Sequence, residues 1–173
     1  MCLFIDIFIY LFIWVFVLVQ LFPVAEGSAE WNLCRSKLSV GANPRFLTIQ
    51  RVQNPALWQA YATYAETKSR AGTAVADEYF WHGTRGNHPR EIYTERGFDK
   101  GRANVGGCIW FARQSTYSMG GYQHPIGNNR FLIFLALVAM GDAAEVKTVR
   151  PDILNVFVNA ATYPAYLIEY SPS

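Results

Sequence analysis

Hydrophobic and polar positions divide the chain into an apolar head and a patterned body. Residues 7–19, IFIYLFIWVFVLV, form an unbroken apolar run. Beyond Pro44 the sequence RFLTIQRV alternates apolar and polar residues, the pattern of a half-buried strand. Asn54 then suits a helix N-cap and Pro55 the first helical position. Leu57, Trp58, Tyr61 and Tyr64 recur at helical spacing, predicting an amphipathic helix to about Lys68 that Ala71-Gly72-Thr73 ends. Residues 78–82 (EYFWH) read as a short aromatic strand, and 89–96 as a helix stopped by Gly97. Gly106-Gly107 leads into another short strand at 108–112 (CIWFA). The run FLIFLALVAM at 131–140 is too short to cross a membrane easily and suits a central, fully buried strand. Strands at 152–159 and 166–170 complete the pattern, with no internal repeat.

The expected organisation is an apolar segment at 1–25, a linker at 26–43 and one α+β domain at 44–173. For the head, two readings compete. Residues 2–24 are long enough for a membrane anchor. Small residues around Ala25-Glu26-Gly27 and Gly27-Ser28-Ala29 also suit signal cleavage, which would make the body secreted. The basic region that normally opens a signal peptide is missing, which favours the anchor. The first bases, Arg35 and Lys37, follow the segment, so the positive-inside rule puts the body in the cytosol. A mistaken start site would leave the same pattern.

Composition narrows the classes. Of 173 residues, 51% are hydrophobic and 16% charged, which excludes a wholly disordered chain. The head carries one charge, Asp6, so the body holds fifteen bases and twelve acids, a net +3. That is too small for the basic footprint of a nucleic-acid binder. Three scattered cysteines supply neither a disulfide framework nor a zinc site, and no metal is expected. Cys34 and Cys108 read as free buried thiols, with a pairing between them left open.

There is no P-loop, GxGxxG, HExxH or GxSxG motif. His82 stands out instead, at the end of an aromatic strand and followed by Gly83, which lets backbone come close to a ligand. A lone histidine is more often structural; its neighbours raise its interest. The blocks IQRVQNPALWQAY, FWHGTR, RGFD, GGCIWFARQSTYS, FLIFLALVAMGD and YPAYLI follow one another between Leu47 and Tyr170. In this order they resemble the catalytic domain of the poly(ADP-ribose) polymerase family, and most closely its mono-ADP-ribosyltransferase branch.

The resemblance implies an ADP-ribosyltransferase-like fold, with two small antiparallel or mixed sheets around an NAD cleft and few helices. It implies NAD as substrate, nicotinamide as leaving group and a protein side chain as acceptor. By resemblance His82 holds the adenine-side ribose, and the Gly83 backbone and Ser118 hydroxyl hold the nicotinamide amide. Tyr122 stacks on the nicotinamide ring, and Thr84 and Arg85 reach the rest of the dinucleotide. Trp110 stands where the family's catalytic Tyr is usual, Cys108 where a Gly is usual, and Ile153 where polymer-forming members carry Glu. The connection from Gly141 to Ile153, eleven intervening residues, is shorter than in the family, and Asn159-Ala160-Ala161-Thr162 lacks the usual Gln. These departures argue against polymer synthesis. They leave two expectations, a mono-transferase or a catalytically inactive relative that binds NAD or a partner.

Overall fold

The computed structural model describes residues 19–103 and 106–172. Its strands are β1 (Gln20–Pro23), β2 (Arg45–Gln53), β3 (Ala76–His82), β4 (Ile109–Ala112), β5 (His124–Gly127), β6 (Arg130–Met140), β7 (Val146–Arg150), β8 (Ile153–Val156) and β9 (Thr162–Ser171). Its α-helices are α1 (Ala29–Ser36), α2 (Pro55–Arg70), α3 (Pro89–Glu91) and α4 (Ser115–Met119). A π-helical turn, Ile92–Arg96, extends α3 and ends at Gly97, whose φ of 67° favours glycine. As the sequence suggests, Asn54 caps α2, its Oδ1 accepting from the Leu57 N–H at 3.1 Å.

Two sheets were expected; the strands form one, in the order β1-β2-β9-β6-β3-β4-β8-β7, with β5 attached to β6. Every pairing is antiparallel. The two halves meet between β3 and β4, where only Trp81 and Ala112 pair. That rung turns the two expected sheets into one. The long apolar β6 is central, flanked by β9 and β3, as its composition requires.

Alternation along these strands builds a core on each face. Trp81, Ile133 and Leu135 join Tyr61 of α2 and Trp31 and Cys34 of α1 on one side. Phe80, Phe134 and Ala136 join Phe98, Phe111 and Leu154 on the other. Trp58, which its spacing also puts inside, is 48% exposed and packs edge-on against Tyr163 at 5.2 Å.

The stretch 26–43 differs from the linker expected. Ser28 caps α1 by accepting from the Trp31 N–H at 3.2 Å, and Trp31 and Cys34, three apart, bury one helix face. Glu30 accepts from Arg51 at 2.9 Å and from the Tyr166 hydroxyl at 3.1 Å, tying the helix to β2 and β9. The end of the segment expected as an anchor or signal is strand instead. Gln20–Pro23 is an edge strand paired with β2, and Val24 is buried. The rest of that anchor, residues 1–18, lies outside the described residues. Among the described residues no helix is long and apolar enough to cross a membrane.

A docked α1 has an energetic signature. Trp31→Ala is expected to cost about 3–5 kcal/mol in urea unfolding, the range for emptying a buried aromatic site. A passive linker would show almost no change.

Candidate active site

Beyond the Trp81–Ala112 rung, β3 and β4 part company. A cavity of about 500 Å³ opens there, walled by residues that include His82, Gly83, Trp110, Ser118, Tyr122 and Arg150. The His82 imidazole bridges the gap, its Nδ1 2.8 Å from the Trp110 carbonyl. A carbonyl can only accept, so Nδ1 carries the hydrogen and Nε2 keeps its lone pair. The ring packs on Phe98 and Phe111, with centroids at 4.8 and 5.2 Å. Burial pushes its pKa down to about 4, and the hydrogen bond to Trp110 opposes that only in part. His82 is therefore a neutral acceptor at physiological pH, unsuited to act as a cation.

Gly83 has a steric reason rather than a conformational one. A Cβ there would stand 2.2 Å from the Tyr122 carbonyl oxygen. The two backbones meet because the segment after β3 is fastened to the segment after α4. The Arg85 N–H donates to the Tyr122 carbonyl and Arg85 Nε to the Gly121 carbonyl, both at 2.8 Å. His124 Nδ1 lies 2.7 Å from the Arg85 carbonyl and completes the fastening. Thr84 also lines the cavity, and its buried Oγ1 has no hydrogen-bond partner among the described residues. An orphaned hydroxyl beside an open cavity fits a polar ligand.

Helix α4 delivers Ser118, which is 3% exposed, to the cavity wall. The helix is pinned from outside. The Ser39 N–H donates to Ser115 Oγ at 3.0 Å, and the Ser115 N–H returns a bond to Ser39 Oγ at 2.8 Å. Residue 39 belongs to the stretch read as a linker, so that stretch helps set the site.

Of the other sequence candidates, Tyr122 reaches the cavity but not alone. Its ring lies 4.3 Å from the Arg85 guanidinium and stacks on Tyr117, with centroids 5.2 Å apart and planes 14° from parallel. The Arg85 guanidinium is thus engaged with the Gly121 carbonyl and the Tyr122 ring. Trp110 lines the cavity and is 38% exposed. Cys108 lies buried in the wall, where burial raises its thiol pKa and makes a thiolate unfavourable. Cys34 is likewise a free buried thiol. Ile153 is not brought into the cavity wall. It is 2% exposed on β8, paired with Ala112 on one side and Arg150 on the other. Among the lining residues that sequence reasoning missed are Tyr117, Arg150 and the charged Glu91, Glu95 and Asp99. The five-residue spacing of Tyr117 and Tyr122 across Gly120-Gly121 was a signal for the first. Nothing local marked Arg150, because β7 itself went unread. Among the described residues no group of three or more side chains could hold a metal ion.

Residues 31–156 match the family model described as the poly(ADP-ribose) polymerase catalytic domain. A probable poly [ADP-ribose] polymerase of Dictyostelium discoideum is 24% identical over 180 aligned positions, covering 88% of this chain and 52% of its own length. The chain therefore spans about half of the curated relative it matches. A domain of this type implies NAD as substrate. The neutral His82 acceptor, the cradle at Gly83 and the orphaned Thr84 hydroxyl are compatible with a polar, hydroxyl-bearing ligand. With the match covering most of its length, the chain belongs to the poly(ADP-ribose) polymerase catalytic domain family.

Proposed function

We propose that the chain is an NAD-dependent mono-ADP-ribosyltransferase that moves one ADP-ribose to a protein side chain and does not build polymer. The observation that carries this reading is the apolar Ile153, in the row Ala112–Ile153–Arg150, at the position where the resemblance puts the Glu of polymer-forming relatives. A sugar hydroxyl must lose its proton to become a second acceptor, and an isoleucine cannot take one. Asp152 is adjacent in sequence but lies in the turn before β8 and does not line the cavity.

NAD supplies the labile bond, since its pyridinium ring leaves as a neutral molecule. The chain's own residues bind and orient. His82 Nε2 accepts from a ribose hydroxyl. The Gly83 backbone and the Ser118 hydroxyl hold the carboxamide, and Thr84 Oγ1 gains the partner it lacks. Tyr122, backed by Tyr117, forms the aromatic wall. Fixing the dinucleotide in this way lowers the entropic part of the barrier. The acceptor must then arrive as a good nucleophile, and a carboxylate side chain meets that need.

A second reading, a relative that binds NAD without turning it over, is motivated by Trp110 and by the Tyr122 ring lying against both Arg85 and Tyr117. Incubation of the full chain with labelled NAD separates the two. The expected result is label at one unit per site, reduced by about tenfold to hundredfold in His82→Ala, the effect of losing a hydrogen bond to ligand. NAD binding without label would instead favour the inactive relative, and chains of ADP-ribose would overturn the mono-transferase reading.

Gly83→Ala is expected to weaken NAD binding in calorimetry and to cost about 1–3 kcal/mol of stability, because backbone rather than a flexible side chain stands in the way. The pH dependence follows from His82. Its folded pKa of about 4 lies below the ordinary value of 6.5. NAD binding should therefore stay level through pH 6.5 and fall only towards pH 4. Over that window the unfolded chain takes the proton and the folded chain does not. The stability His82 contributes is present above pH 6.5 and drains away as the pH drops to about 4. A binding midpoint near pH 6.5 would contradict this.

A further inference from the structure

The β7–β8–β4 ladder lines up two rows of side chains across three strands. Lys147 pairs with Asn155 and Asn155 with Trp110; Arg150 pairs with Ile153 and Ile153 with Ala112. Residues paired in register share a face, as do Trp110 and Ala112, two apart on one strand. Lys147 and Arg150 are three apart, so a regular strand would send them to opposite faces. A register irregularity between Thr148 and Arg150 inserts an extra residue and brings Arg150 round to the Lys147 side.

Both cations are exposed. Arg150 lines the cavity, with its guanidinium 5.9 Å from the centroid of the Tyr117 ring. Among the described residues neither cation forms an ion pair. Strand β7 ends the sheet, so the far side of this row is not covered by another described strand.

We propose that Arg150, supported by Lys147, reads the acceptor by taking a carboxylate from an acidic segment presented along the β7 edge. This rests on the mono-transferase reading above and names the feature that selects the acceptor. The charge logic runs against a neutral or basic acceptor. Bond cleavage spreads positive charge over the ribose, and a bare guanidinium at the rim opposes it. An acidic segment removes that opposition and supplies the nucleophile at once. The planar fork of an arginine matches a carboxylate in two parallel hydrogen bonds. A neighbouring carboxylate held this way leaves the reacting one free.

The step balances without a base. The bond between the ribose carbon and the nicotinamide nitrogen breaks, and its electron pair neutralises the pyridinium. A lone pair of the acceptor carboxylate forms the new carbon–oxygen bond. One positive and one negative charge disappear together, giving nicotinamide and an ester, with no proton to place.

The test is equilibrium binding of a fluorescein-labelled peptide of Asp and Glu residues to the full chain, read by anisotropy, which needs no turnover. Arg150→Glu is expected to weaken binding by about tenfold or more, and Arg150→Lys by about threefold or less, since Lys keeps the charge and loses the fork. Added salt should weaken wild-type binding most. In peptide labelling with NAD, Arg150→Glu should raise the KM for the acidic peptide. If Arg150→Glu lowers the melting temperature, Lys147→Glu carries the same expectation in the same direction. Equal peptide affinity in the wild type and both charge-reversed variants overturns the proposal, as does a Lys-rich peptide binding as tightly as the acidic one. Charge-dependent peptide binding without any NAD-dependent label supports the docking edge and sinks the transferase reading, so the two failures are distinguishable.

Discussion

Strand β3 is held unequally on its two sides, and the site depends on that imbalance. On one side all seven residues from Ala76 to His82 pair in unbroken register with β6, from Met140 to Phe134. On the other a single rung, Trp81 with Ala112, joins β4. The first side fixes where His82 must be. The second leaves its far side unpaired, so the strands separate into a cleft instead of continuing a ladder. The His82 side chain, bound to the Trp110 carbonyl, takes the place of the next backbone rung.

That narrow joint is braced from the far end of the chain. Trp81 is buried, and its Nε1 donates to the Lys37 carbonyl at 2.9 Å, just past α1. Two residues on, Ser39 exchanges hydrogen bonds with Ser115 at the start of α4. The segment 37–39 thus touches β3 at the rung and the helix that carries Ser118. A buried indole is stabilising only while its N–H finds an acceptor, so loosening α1 would cost the joint as well as its own packing.

The electrostatic character of the site is set by what is missing from it as much as by what is there. His82 is kept neutral by burial, Ile153 offers no charge, and of the two β7 cations Arg150 lines the cavity while Lys147 stands exposed outside its wall. A carboxylate at Ile153 would have met Arg150 directly across the ladder. The isoleucine there gives the guanidinium no charge to pair with. The irregularity in β7 that aims Arg150 and the apolar residue beside it act on the same edge of the cavity.

Local pattern was enough for much of this. The Asn54-Pro55 cap, the helix over Leu57 to Tyr64, the central strand at 131–140 and the ordering of the motif blocks depend on neighbours within a few residues, and a linear reading captures such terms. His82-Gly83 could be singled out for the same reason. The linear reading faltered where the partner lies far away. A mixed stretch became a docked helix because Trp31 and Cys34 meet strands more than a hundred residues later. Two expected sheets became one through a single long-range rung. Gly83 is required by the backbone of Tyr122, and Arg150 enters the cavity through a register shift against β8. The sequence by itself determined the locally patterned elements, β2, α2, β3, β4 and β6, and the chemistry carried at the end of β3. Only the tertiary structure decided which charges border the cavity and which candidate is buried away from it, because strand pairing, not strand propensity, sets where a side chain points.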